Sequence, residues 1–226
     1  MTHPRMARLE FAADLQMLRE SLAAMTQMAS EAIRAATTAL LEQDVEAVRT
    51  TAAVEEDLEA NLGAMERRTL ELLARQQPVA GDLRLLVSAI KVGAECRRMG
   101  ALALHIGTAA IRSYPEPAIP YELLRIFREM GEVANRIADG ARVTLLTSDA
   151  QDAARLEVDD DAMDGLRRAL FRALMHDWPY GVETAVNVAL LGRYYERFAD
   201  HAVAIAQAVI FIVTGTRPDY GSHPIG

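Results

Sequence analysis

Cysteine is almost absent from this chain. Cys96 is the only one in 226 residues, so no intrachain disulfide can form, which suits a reducing compartment. A lone cysteine of this kind is expected to act as a small buried apolar residue. Lysine is as rare, with Lys91 the only one, and the remaining cations are arginines. They form no visible basic patch, and 32 acidic residues against 24 basic leave a net charge of −8. That balance argues against a nucleic-acid binder. Aromatic residues are only 5% of a chain that is 51% hydrophobic. Alanine, leucine and valine therefore fill the core, as in helix packed on helix. The longest apolar run, 202–213, is shorter than the roughly 20 residues that span a bilayer. The opening "MTHPRMARLE" has no apolar secretory segment. A soluble chain without a membrane span is expected. No glycine-rich phosphate loop, nucleophile–base arrangement or strand-to-helix elbow stands out.

What is present is helical periodicity. Apolar residues recur at 15, 18, 22, 25, 29, 33, 36 and 40, in steps of three and four. This predicts one helix from about Arg8 to Leu41 with a single buried stripe. Asp44 suits the N-cap of a second helix running to about Gln76, and Pro78 ends it. A third helix is predicted from about Gly81 to Arg112. "SYPEPAIP" at 113–120 carries three prolines and reads as a linker. Three more helices follow, over about 121–147, 150–176 and 182–214, with "TSDA" and "DWPYG" as breaks. The expected fold is all-α: six helices as two tandem three-helix bundles related by pseudo-twofold symmetry. The units are residues 1–112 and 121–215, joined by the linker 113–120, with a flexible tail at 216–226.

The two halves look like copies. "AECRRMGALALHI" (94–106) matches "YYERFADHAVAI" (194–205), with Arg98 aligned to Arg197. "VEEDLE" (54–59) matches "DDDAMD" (159–164). A repeat of about this size points to duplication.

Acidic residues four apart share one helical face. Helices 5 and 6 are joined by a short turn and should be antiparallel neighbours. Asp164 and Glu196 are both centred on residue 180, as are Asp160 and Asp200. Four carboxylates can then meet about 24 Å from the turn, at about 1.5 Å of rise per residue. Such a set repels itself, raises its pKa values or gathers a cation, and a hard or borderline metal ion suits oxygen ligands. The same pairs also fit a plain solvated face, with Arg193 and Arg197 making ordinary surface pairs. His201 lies one position off the carboxylate stripe, as a neighbour of the site or a solvent-facing residue. In the first copy Glu55 and Glu59 face Ala101 and Arg97 across Pro78. Arg97 can neutralise Glu59 directly, so that copy is expected to hold metal weakly or not at all. Arg98 and Arg197 neighbour the two sites.

"QQPVAGDLR" at 76–84, together with "ERFADHAVAIAQAVIFIVTG" at 196–215, resembles the PhoU family of bacterial phosphate-signalling accessory proteins. The resemblance runs from about residue 8 to 215. It implies two three-helix repeats with paired acidic motifs able to hold divalent or iron-type metal. Those motifs map here onto Glu55 and Glu59, Asp160 and Asp164, and Glu196 and Asp200, while Arg97 and Ala101 depart from the pattern. The arginine- and alanine-rich wording looks actinobacterial. The resemblance further implies a cytoplasmic, non-enzymatic homodimer. It would restrain phosphate uptake and the phosphate-starvation response, as an adaptor between the ATPase subunit of a phosphate ABC transporter and a phosphate sensor histidine kinase. Two other readings stay open: a carboxylate-bound metalloprotein on a helical bundle, and a helical scaffold without metal.

Overall fold

The long apolar stripes become long helices. The computed structural model describes residues 4–216, apart from the side chains of residues 4–7, 76 and 157–160. These residues form α1 (Pro4–Glu42), α2 (Val45–Gln76), α3 (Ala80–Arg112), α4 (Leu124–Thr147), α5 (Ala150–Met175) and α6 (Gly181–Thr214). No strand occurs among the described residues. The expected ends at Gln76, Arg112, Thr147 and Thr214 are the observed ones. The start of the fourth helix differs. After Pro120 the chain makes a 3-10 turn over Tyr121–Leu123, closed by Leu123 N–H to Pro120 O at 3.0 Å, before the α-helix begins.

Local chemistry sets the starts of α2 and α5 in the same way. Asp44 Oδ1 accepts from the N–H groups of Glu46 and Ala47, and Asp149 Oδ1 from those of Gln151 and Asp152. These caps satisfy amides that have no partner inside the helix. They occupy equivalent places in the two copies, and the register carries through the packing. Gly93 on α3 leaves room for Met65 and Leu62 of α2: a Cβ there would lie 2.1 Å from Met65 Cε. Gly192 on α6 does the same for Leu170 of α5, where a Cβ would lie 2.4 Å from Leu170 Cδ2. In this register Met65 corresponds to Leu170, Cys96 to Tyr195 and Arg97 to Glu196.

Within each unit the three helices pack on one another. Between units α1 packs on α4 and α3 on α6. One continuous apolar core runs through both halves. The tandem bundles are thus fused side by side, with α2 and α5 flanking a central group of four helices. The buried threonines of the core are paired, as burial demands. Thr26 donates to Leu22 O, leaving its oxygen for the Cys96 thiol at 3.5 Å. Thr37 donates to Ile33 O and receives the Tyr195 hydroxyl at 2.9 Å. Burial pushes the Cys96 thiol up to about 12, so it stays a thiol and packs as the small apolar residue expected of it. By length and composition α6 is apolar enough to cross a membrane; here it packs against α3, α4 and α5.

Candidate functional site

Glu196 is the centre of the second-copy site. It lies on the α6 face turned toward α5 and is only 8% exposed. Arg167 of α5 reaches its Oε1 at 2.9 Å, and Arg193, one turn earlier on α6, reaches its Oε2 at 2.7 Å. The Arg193 contact is an ion pair whose angle leaves Oε2 without a hydrogen bond. Arg167 also lies over the Phe171 ring, 5.5 Å from its centroid, a cation–π contact that helps fix the guanidinium.

Asp200 sits one turn beyond Glu196, half-buried. Burial and the nearby Glu196 charge raise its pKa, against the lowering pull of Arg193, Arg197 and His201. Asp164 lines a groove with Arg167 and Arg168. Arg197 is exposed. Asp160 belongs to α5, but its side chain lies outside the described residues, as does that of Asp159. Among the described residues no three histidine, cysteine, aspartate or glutamate side chains gather closely enough to hold a metal ion. The set fits a cation in one respect, the carboxylates of Glu196 and Asp200 on successive turns of α6. It fits poorly in another, because two guanidinium groups already balance Glu196.

The first-copy site is simpler. Arg97 Nε meets Glu59 Oε2 at 3.4 Å between α3 and α2, the direct pairing the sequence predicts. Glu59 is 62% exposed and Arg97 42%, so the pair contributes little, roughly 0–1 kcal/mol. Glu55 lies beside it on α2, half-buried, with its Cα 3.8 Å from where a Gly100 Cβ would be.

His201 turns away from the carboxylate set. Its Nδ1 lies 2.6 Å from Glu95 Oε2 of α3, and Arg98 donates to the other Glu95 oxygen at 2.9 Å. Burial alone would raise the Glu95 carboxyl, but the hydrogen bond and charge of His201, joined by Arg98, hold it below the usual range. His201 therefore ties one unit to the other across the α3–α6 seam, with a His105–Tyr194 stack at 5.3 Å further along it. The sequence reading missed Glu95 and Arg167. The signal for Arg167 was available: like Asp164 and Glu196, residues 167 and 193 are centred on residue 180, so the hairpin places Arg167 at the height of Arg193. Nothing in the local sequence pairs Glu95 with His201, because their meeting depends on how the two units dock.

The PhoU domain family model matches residues 22–110 and again 127–209. The chain belongs to the PhoU family. The two matches fall on the two copies of the repeat. The phosphate-specific transport system accessory protein PhoU homolog 1 of Mycobacterium leprae is 43% identical, with 96% of this chain and 98% of that protein aligned. Homolog 2 of Mycobacterium tuberculosis is 44% identical over 93% of this chain and its own full length. The crystal structure of PhoU from Pseudomonas aeruginosa superposes with a TM-score of 0.82 at 26% identity, covering 91% of this chain and all of that one. The phosphate transport system regulatory protein PhoU from Streptococcus pneumoniae shares the fold, with a TM-score of 0.81 at 22% identity and coverage of 92% and 99%. The mycobacterial relatives are named as accessory proteins of the phosphate-specific transport system, and the chain's place among them supports a role in phosphate transport.

Proposed function

We propose that this protein is a cytoplasmic adaptor that keeps phosphate uptake and the phosphate-starvation response low when phosphate is plentiful. It works as a homodimer and catalyses no reaction. One partner is the ATPase subunit of a phosphate ABC transporter, and the other is a phosphate sensor histidine kinase. The observation that carries the reading is the 43% identity, across 96% of the chain, to a phosphate-specific transport system accessory protein. Long helices with a shared core suit a protein that works through its surfaces. Deleting the gene is expected to switch on phosphate-starvation genes in high phosphate, and complementation to silence them again. Normal repression in the deletion strain would overturn the proposal.

A divalent or iron-type cation at Asp160, Asp164, Glu196 and Asp200 belongs to the same reading. The place of Asp200 one turn from Glu196, with its raised pKa, supports it. Binding there displaces Arg167 and Arg193 from Glu196. The first copy, with Arg97 on Glu59, is proposed to hold metal weakly or not at all. Elemental analysis of wild type against Asp160→Ala and Asp200→Ala tests this. Equal metal content in all three dismisses the site.

A further inference from the structure

The outer end of the α5–α6 hairpin carries an exposed apolar groove of about 410 Å³. Phe171 and Met175 of α5 line it with Val182 and Val186 of α6. Met175 is 78% exposed and Val182 80%, a degree of exposure that marks large apolar side chains in a group as an interaction surface. The groove runs into a second, of about 460 Å³, that shares Phe171 and Met175 and is lined by Arg167, Arg168 and Arg172 against one carboxylate, Asp164. Arg167 is held by Glu196. Arg168 and Arg172 take part in no ion pair among the described residues.

Two unpaired arginines beside an apolar trough stand out on a chain of net charge −8. Only Arg168 belongs to one copy alone, because Arg67 stands where α5 has Arg172. In the register that matches Asp44 to Asp149, Gly63 and Glu66 stand where α5 has Arg168 and Phe171. The occupant that fits must offer apolar side chains for the trough and negative charge for its arginine wall. An amphipathic helix does both, laying apolar residues at i, i+4 and i+7 into a groove with its acidic flank to one side. A second copy fits less well, because a twofold contact centred here sets Arg168 and Arg172 against themselves. An anionic bilayer fits less well too, since the acidic chain is repelled from it and the trough is concave.

We propose that this groove docks an acidic amphipathic helix of a partner protein, with its apolar side chains between Phe171 and Val186 and its carboxylates on Arg168 and Arg172. The proposal rests on the adaptor reading and names the kind of partner segment that reading needs.

The test uses the full chain and fluorescence anisotropy with a labelled helical peptide of about 18 residues. The peptide carries leucines at helical spacing and a flank of glutamates. Two controls carry lysines in place of the glutamates, or the same residues in scrambled order. The wild type is expected to bind the glutamate peptide about tenfold or more tighter than either control. Arg168→Glu with Arg172→Glu should reverse the preference toward the lysine peptide. Val182→Asp, at an exposed position, should weaken both. Circular dichroism should show unchanged helix content in each variant, and if the double variant is unfolded, Val182→Asp and Met175→Asp decide the matter. No binding, equal binding of the two charged peptides, or an unchanged preference in the charge-reversed variant overturns the proposal. So does binding to phosphatidylglycerol vesicles that Val182→Asp abolishes, or a dimer that Val182→Asp dissociates. A deletion strain that derepresses phosphate genes while the protein ignores these peptides would leave the adaptor reading standing and remove the groove. Peptide binding without derepression would do the reverse.

Discussion

In the first copy of the repeat, Glu59 of α2 meets Arg97 of α3 in a largely exposed pair; in the second, Glu196 of α6 is buried between Arg167 of α5 and Arg193 of its own helix. The equivalences show how the two diverged. Glu196 stands where the first copy has Arg97. Arg167 stands at the place of Leu62, and Arg193 at that of Ala94. Charge has changed sides between the helices, and in both copies a guanidinium still answers a carboxylate. In the second version the carboxylate itself is buried, although Arg167 and Arg193 keep 35% and 46% of their side-chain surface, so the carboxylate depends on them more than Glu59 does on Arg97. Removing one partner of a desolvated pair leaves the others uncompensated, whereas an exposed pair loses little to solvent screening.

Five substitutions probe this comparison. The largest effect lies beneath the sites, where Cys96 and Tyr195 occupy the same repeat position and each reaches a threonine of α1. Tyr195→Ala should cost about 3–5 kcal/mol in urea unfolding, through the cavity left by a fully buried ring. Cys96→Ala should cost nearer 1 kcal/mol, for the loss of one buried sulfur. Similar losses would mean that the two positions are not packed as differently as their volumes imply. Next come the carboxylates. Glu196→Gln should lose about 2 kcal/mol, and Glu59→Gln less than about 0.5 kcal/mol; equal losses would erase the contrast in burial.

The smallest effect concerns Asp200. Its folded-state pKa is raised, so the folded chain holds the proton more tightly than the unfolded one. Stability is therefore lost as pH rises from the ordinary carboxylate range through the raised value. Asp200→Asn removes that loss. Its melting temperature should exceed wild type at pH 7 in chelator, with the difference closing near pH 3. A variant that melts lower than wild type at pH 7 in chelator would contradict the burial argument. Added divalent cation that raises only the wild type would bring the metal proposal into the same experiment.

Much of this molecule was legible in its residues. Steps of three and four fixed the buried stripe of α1, Asp44 announced the start of α2, and Pro78 its end. The repeat was visible because 94–106 matches 194–205 and 54–59 matches 159–164; the shared caps and helix crossings emerged only in the structure. The pairing of Arg97 with Glu59 followed from counting outward from one turn. The same count about residue 180 would have found Arg167, had it been applied to cations as well as carboxylates. The Glu95–His201 contact was not legible, because it joins helices of different units that no short turn relates. Nor was the 3-10 entry to α4, since a helix-compatible stripe does not distinguish the tighter turn after Pro120.

The placement of α2 and α5 has a mechanical consequence. Each packs on helices of its own unit, while α1 with α4 and α3 with α6 join the halves. An outer helix can therefore loosen at the cost of its own unit's contacts and leave the central joint intact. In outline the molecule is a keel of four helices with a plank on either side, and Glu196 sits on the keel with Arg167 on a plank.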